Sequence, residues 1–438
     1  MYKIGVYERE ITPMFGNSLE GYFNVRLVDG VIDKTYAKAV VIEKNGVLFA
    51  TLAIDACMIY DELIDAIYNR VKKYLDIDRA NVIISATHSH TAAPGSKHVE
   101  GADNALDSLY LDWLANVGAD TIVLAYQKRV DAHLKFGSTT IKGVAFCRNF
   151  LLKNGVVRTN PGVKNPDIVE AYGETYDDLP VFFFEGADGK KLGMMYSYAL
   201  HQDSVDGTKA SGDWSSIVSY RMKEKFGYDF VSIYCYGPAG NINQVDVTND
   251  SMNFFSCHEY LGNSIATQMQ TALDNLVEVD GDIKTFFTSK IYENRVPTKE
   301  EIAEQERIFN SVELPKGAKL DASSPKELFD ACMAQRCLNF TLGATKYYKV
   351  KFGIVAIGDI MIFALPGEVF TQFAHKIKNA FPDKKVFFVG LANNKWSYMP
   401  ADNCYLPQLY ESLYGSAAFY PEDVNDIFDS FIEFGKKM

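Results

Sequence analysis

Three short stretches carry side chains that together could hold a divalent metal, and a fourth could present backbone N–H groups beside them. They are Thr87-His88-Ser89-His90, the single His201, the pair Gly367-Glu368, and the loop Gly237-Pro238-Ala239-Gly240-Asn241. His88 and His90 stand two apart. On an extended chain such residues point the same way, whereas on a helix of about 3.6 residues per turn they diverge by roughly 200°. The apolar run Asn81-Val82-Ile83-Ile84-Ser85 just before them favours the extended reading, which aims both imidazoles into one space. Taken alone, H-x-H is more often two satisfied histidines at a strand end. His201 closes the run Ser197-Tyr198-Ala199-Leu200, and a core histidine is the commoner meaning there. Glu368 follows Leu365-Pro366-Gly367, where a carboxylate at a helix start is favoured by the macrodipole. Each position is modest by itself. As a set they offer the imidazole and carboxylate donors of a catalytic zinc centre.

The glycine-rich loop could present backbone N–H groups to an oxyanion or phosphate, although a plain strand-to-loop turn explains it equally well. It lacks the Lys-Ser/Thr ending of a P-loop. No G-x-S-x-G elbow occurs, which disfavours a serine hydrolase. His98, His133, His258 and His375 have no such context and read as surface or satisfied core residues.

These residues need elements to position them, and strand and helix signals alternate through most of the chain. Residues 38–57 carry a hairpin pattern about Lys44-Asn45-Gly46, since Asn-Gly is a strong tight-turn signal. Leu63, Ile67, Val71 and Leu75 follow at helical spacing. A long helix is expected over 107–128, with Leu109, Leu111, Trp113, Leu114 and Val117 on its apolar side. A second hairpin turns about Gly186-Ala187-Asp188-Gly189 and leads to His201; a helix opens near Asp213, and the strand Phe230–Cys235 runs into the glycine-rich loop. Another helix is expected over roughly 252–277. Residues 297–340 read as a polar helical excursion with Pro297-Thr298-Lys299-Glu300-Glu301 as its start. A third hairpin, about Gly358-Asp359, ends at Pro366-Gly367-Glu368, and Lys385–Val389 is a late strand. The recurring theme is a buried strand whose C-terminal end carries a polar residue, where α/β enzymes usually place their chemistry.

Composition narrows the function classes. A chain of 438 residues with 47% hydrophobic content can bury a large core, or two, and 23% charged residues excludes wholesale disorder. A net charge of −12 without any basic run makes nucleic acid a poor partner. No run of about 18 apolar residues exists to span a membrane. The N-terminus turns charged at once and has no signal-peptide core. Seven scattered cysteines without a C-x-x-C pair read as buried free thiols, which fits a reducing, cytoplasmic setting.

In order along the chain, these segments resemble the catalytic domain of the neutral/alkaline, non-lysosomal ceramidases. Ser85-Ala86-Thr87-His88-Ser89-His90-Thr91 is similar to that family's S-A-T-H-T-H-S segment. Cys147-Arg148-Asn149 resembles its N-R-S, Tyr198-Ala199-Leu200-His201 its second zinc histidine, and Gly212-Asp213 the S-D that follows. Leu365-Pro366-Gly367-Glu368 is similar to V-P-G-E. Gly390-Leu391-Ala392-Asn393, Tyr398, Tyr405 and Tyr410-Glu411 resemble its G-L-x-N, H-Y, Y and Y-E run. Ile11-Thr12-Pro13, Gly21-Tyr22 and Asp55 also resemble family positions, so the likeness spans about residues 4–415.

The resemblance implies Zn2+ held by His88, His201, Glu368 and Tyr398, with His90 and Arg148 at the scissile carbonyl. Asp55 and Asp213 are expected behind the ligands, orienting the histidines through N–H bonds. Gly240, Asn241 and Tyr410 are expected near the substrate. Two departures stand out. The family's G-D-V-S-P-N loop, with its active-site serine, is here Gly237–Asn241, and Gly240 stands where a serine is expected. The chain also ends at Met438, without room for the family's C-terminal immunoglobulin-like domain.

The expectation is therefore an α/β (α+β) protein: mixed β-sheets with flanking helices, forming one large catalytic domain over residues 1–438. Its expected activity is zinc-dependent hydrolysis of an N-acyl amide, on a small-molecule or lipid-like substrate. A zinc hydrolase of a small polar amide, ester or lactone remains open, as does an inactive metal-containing binding module. Oligomeric state and substrate identity are not readable from the sequence.

Overall fold

Strands that are apolar on both faces build the two largest sheets of the molecule. In the strand Tyr36–Lys44, Ala39 and Val41 join one core while Val40 and Ile42 join another. A strand buried on both sides reads as a continuous apolar run, because successive side chains point to opposite faces. The computed structural model describes residues 1–95, 102–314, 324–343, 345–393 and 397–438. His98 and part of the expected 297–340 excursion lie outside the described residues.

The larger sheet contains β1 (Tyr2–Glu10), β2 (Tyr36–Lys44), β3 (Val47–Ile54), β4 (Val82–Ala86), β5 (Val130–Thr140), β6 (Asp178–Gly186), β7 (Lys191–Tyr198) and β8 (Val231–Tyr236). Their spatial order is β8-β7-β6-β5-β1-β2-β3-β4, with a short strand, Val277–Glu278, paired to β5. The smaller sheet has the order β9 (Ile283–Glu293), β10 (Tyr347–Ile357), β11 (Ile360–Ala364), β12 (Lys385–Val389). The sheets face each other across an apolar layer to which β2 gives Val40 and Ile42, β6 gives Phe182 and Phe184, β11 gives Ile360 and Ile362, and β12 gives Phe387 and Val389.

Helices cover the two outer faces. Helices α1 (Asp61–Val71), α2 (Asn104–Gln127), α3 (Asp213–Phe226) and α4 (His258–Asp274) lie on the larger sheet. In α2, Leu111, Leu114 and Val117 are buried as expected, but Leu109 and Trp113 are exposed. They sit four apart on a stripe turned away from the sheet, while Tyr110 and Gly118 take the inner stripe. Leaving the smaller sheet, the chain forms α5 (Lys299–Asn310) and α6 (Lys326–Gly343), which pack on each other. A reciprocal capping box, Thr298 with Glu301, starts α5. Helices α7 (Thr371–Ala380) and α8 (Pro421–Gly435) cover the smaller sheet, where Phe373 stacks on Phe428 at 4.0 Å and Phe363 meets Phe431.

Three times the chain makes the same move: an antiparallel hairpin, a helix, then a strand parallel to the hairpin's second strand. The units are β2-β3-α1-β4, β6-β7-α3-β8 and β10-β11-α7-β12. The mixed sheets with flanking helices are as the sequence implied. All seven cysteines are buried free thiols. No helix among the described residues is long and apolar enough to cross a membrane.

Candidate metal centre and active site

The C-terminal ends of the three parallel strand pairs meet at the junction of the two sheets. Ser85 bridges Ala392, Asn393 N–H donates to Ile84 O at 2.9 Å, and Gly390 N–H donates to Tyr236 O at 2.6 Å. Here the chain leaves β4 through His88, β7 through His201 and β11 through Glu368. The three side chains are almost wholly buried.

His88 is not on an extended stretch. Its φ is 71°, so the chain turns sharply there, with His88 N–H on Ala56 O at 2.9 Å and His90 N–H on Gln202 O at 3.0 Å. Strand β4 ends at Ala86, and beyond it Ser89 bridges Gln202 instead of continuing the sheet. The turn still brings the two rings together, their centroids 4.8 Å apart and their Nε2 atoms 3.4 Å apart.

His88 Nε2 lies 3.2 Å and His201 Nε2 3.1 Å from one oxygen of Glu368, Oε2. Donor atoms held about 2.0–2.2 Å from a tetrahedral ion are roughly 3.3–3.5 Å from one another, so a small ion needs only a few tenths of an ångström of widening. The tautomers point the same way. His88 Nδ1 donates to Cys57 O at 2.7 Å, which leaves the Nε2 lone pair facing the carboxylate. His201 Nδ1 faces the Tyr236 hydroxyl at 3.5 Å. Burial, then the Arg148 charge, lowers His201 to about 3 and keeps it neutral. Lone pairs and a carboxylate converging in a buried space fit a cation. Cys57, His88 and His90 form a second close group, but it shares His88, whose Nδ1 is already engaged by the Cys57 carbonyl.

Tyr398 stands beside Glu368 in a short parallel pairing. Its hydroxyl accepts from Arg148 Nη2 at 3.1 Å, and burial keeps the phenol protonated. Arg148 is fixed on several sides. Its Nε donates to Glu411 Oε1 at 2.7 Å, Nη2 also donates to Gly240 O at 2.7 Å, and Nη1 lies 3.2 Å from His201 Nε2. Thr159 holds the other Glu411 oxygen at 2.8 Å.

The glycine-rich loop serves Arg148 and is not an anion nest. Gly237 N–H is spent on Tyr198 O and Gly240 N–H on Val369 O, while Asn241 O accepts the Arg148 N–H. The Asn241 side chain is used on Thr371, at the start of α7. Gly240 has no room for a hydroxymethyl group, since a Cβ there would lie 2.6 Å from Glu368 O. Tyr410 lies nearby, its ring 5.5 Å from that of Tyr398 and its hydroxyl accepting from Arg336 Nη1 at 2.9 Å.

Asp55 and Asp213 do not touch a histidine ring. Asp55 accepts from Tyr36 N–H at 2.7 Å and from Thr87 Oγ1 at 3.1 Å. Asp213 takes the N–H groups of Ser204, Val205 and Trp214, together with the Ser204 hydroxyl. Both carboxylates therefore shape the backbone around the ligands, while a carbonyl and a phenol face the ring nitrogens. Burial raises Asp55 to about 6 and Asp213 to about 7.

His90 has its own surroundings. Its Nδ1 is 3.6 Å from Asp203 Oδ1, and Tyr22 donates to that same carboxylate oxygen. Arg26 covers the Tyr22 ring at 3.9 Å and donates to His90 O at 2.6 Å. Gly21, with φ 107°, packs directly on the imidazole, and a Cβ there would fall 2.4 Å from Nδ1. Burial, then His88 and His201, pushes His90 well below its ordinary value. Nothing in the sequence marked Arg26, Asp203, Tyr236 or Arg336, because each arrives from a distant segment without a motif. Glu411 was visible only as the neighbour of Tyr410. Among the other histidines, His133 pairs with Glu278 at the surface and His375 meets Thr175 O, in keeping with structural roles.

A profile of the neutral/alkaline non-lysosomal ceramidase N-terminal domain matches residues 2–241, more than half of the chain. Among solved structures, neutral ceramidase from Pseudomonas aeruginosa aligns with a TM-score of 0.75 at 20% identity, over 98% of this chain and 73% of that one. A ceramidase complexed with C2 aligns with a TM-score of 0.71 at 18% identity, over 98% and 74%. No curated protein matches the chain.

Proposed function

The chain belongs to the neutral/alkaline non-lysosomal ceramidase family, and on that premise we propose that it is a zinc-dependent hydrolase of N-acyl amides. His88, His201, Glu368 and Tyr398 would hold the metal. The observation that carries this reading is the convergence of two imidazole Nε2 atoms on one carboxylate oxygen at 3.1 and 3.2 Å, in a buried space. When bound there, zinc supplies a Lewis acid and a water acidified to a pKa of about 7.

The chain's own residues do the rest. Arg148, fixed by Glu411 and Gly240, directs Nη1 to the edge of the metal space. There it donates to the amide oxygen as that atom gains negative charge, a contact worth about 3–4 kcal/mol in comparable sites. His90, neutral through burial, accepts a proton from the attacking water and delivers it to the leaving nitrogen. The new C–O bond forms at the carbonyl carbon, the C–N bond breaks, and the products are a carboxylic acid and an amine. Gly21 holds the His90 ring in place by leaving no gap behind it.

Metal analysis together with an N-acyl amide panel of graded acyl length tests this. One zinc per chain, activity abolished by chelation and restored by zinc is the expected outcome. Protein purified without stoichiometric zinc that hydrolyses its substrate regardless of chelators would overturn it.

A further inference from the structure

Helix α6 belongs to none of the three repeated units, yet it reaches the site. From it Arg336 donates to the Tyr410 hydroxyl at 2.9 Å and to Gly415 O at 3.2 Å, and its Cζ lies 5.3 Å from the Phe23 ring. Phe329, two turns earlier on the same face of the helix, packs against Phe23 and Tyr410. Arg148 and Arg336 both place Cζ within 6.0 Å of the Tyr410 ring centroid. One guanidinium therefore stands at the proposed scissile bond, and the other lies across a single tyrosine from it.

A slot for a long alkyl chain needs a continuous apolar lining, and a guanidinium in that lining is costly. The opposite side of the site is charged as well, with Arg26 over Tyr22 and Asp203 held by the Tyr22 hydroxyl. A planar N–H fork among aromatic rings is instead suited to a carboxylate, because low polarity strengthens a charge-assisted hydrogen bond. Burial opposes the charge on Arg336, but Tyr410, Tyr398 and Glu368 outweigh it and raise the guanidinium further.

We propose that Arg336, steadied by Tyr410, is a specificity-determining subsite for a carboxylate on the substrate, so that the substrate class is a carboxylate-bearing N-acyl amide. This rests on the amide-hydrolase reading above. The carboxylate lies a few bonds from the scissile amide, on the amine side in an N-acyl amino acid or on the acyl side in a monoamide of a short dicarboxylic acid.

The test compares kcat/KM for N-acyl amino acids, for short dicarboxylic monoamides, and for the matching N-acyl amino alcohols, in which CH2OH replaces the carboxylate. The zinc-loaded full chain is used, as wild type, Arg336→Met and Arg336→Lys. The wild type should prefer one of the two carboxylate series by about 10- to 100-fold. That ratio should collapse toward one in Arg336→Met and be partly kept in Arg336→Lys. A wild-type ratio near one, or an unchanged ratio in Arg336→Met, overturns the subsite while leaving amide hydrolysis standing. If no amide is cleaved, the hydrolase reading fails, and calorimetric binding of the same compounds decides the subsite. Binding lost in Arg336→Met supports it, and equal binding in both proteins removes it.

Discussion

The two sides of the site are built differently. The ligand side comes from the ends of strands in both sheets: His88 is held by the Cys57 carbonyl, His201 faces the Tyr236 hydroxyl, and Arg148 is fixed by Gly240 O and the Glu411 carboxylate. The outer side comes from the loop carrying Tyr22 and Phe23, from α6, and from the turn holding Tyr410, and aromatic contacts among Phe23, Phe329 and Tyr410 join these segments. Chemistry is thus written into the part of the fold that can least move. Substrate choice falls to segments that can vary without disturbing either sheet.

Changes on the ligand side should be the most severe. Glu368→Gln and His88→Ala should each lose stoichiometric zinc and bring turnover to background; a variant that retains both would break the contrast at its root. Arg148→Met should keep its zinc yet lower kcat by about 10²–10³-fold, read by metal content and steady-state kinetics on the same preparation. Gly21→Ala is a sharper probe, because it adds one methyl group where the His90 ring already stands. A ring displaced by about 1 Å should cost on the order of 10²-fold in turnover, with metal binding intact.

Glu411→Ala leaves the buried Arg148 charge without its carboxylate. It should lower unfolding free energy by about 3–5 kcal/mol, measured by denaturant titration, and should loosen Arg148 at the same time. At the far end of the scale, Thr298→Ala removes a helix cap in the excursion. It should cost about 1 kcal/mol of stability and leave catalysis of any amide untouched.

The same contrast explains what could be read in advance. The hairpins and parallel strands announce themselves through runs such as Val47–Ile54 and Ile360–Ala364 and through the turn at Asn45-Gly46, since sheets buried on both faces demand continuous apolar residues. His88, His201 and Glu368 were findable because each follows such a run directly. The bend at His88 was not, since a positive φ in a histidine has no sequence signature and arises from the hydrogen bond to Ala56. Asp55 and Asp213 suited a role beside the histidines by type and place, but their oxygens are taken by nearer N–H and O–H donors. Arg336 was hidden for the opposite reason. It sits in a helix whose buried residues include Ala331, Ala334 and Cys337, 135 positions after His201 and 248 after His88, and it approaches those histidines through Tyr410.

The three donors His88, His201 and Glu368 come one from each repeated unit. A chain emerging from the ribosome therefore holds all three proposed donors only once its third unit has been made. An intermediate with two units lacks the Glu368 carboxylate oxygen on which the His88 and His201 rings converge. On the zinc reading proposed above, capture of the metal would be postponed to the last stage of maturation, after the sheets have met, and a captured ion would fasten all three units together at one point.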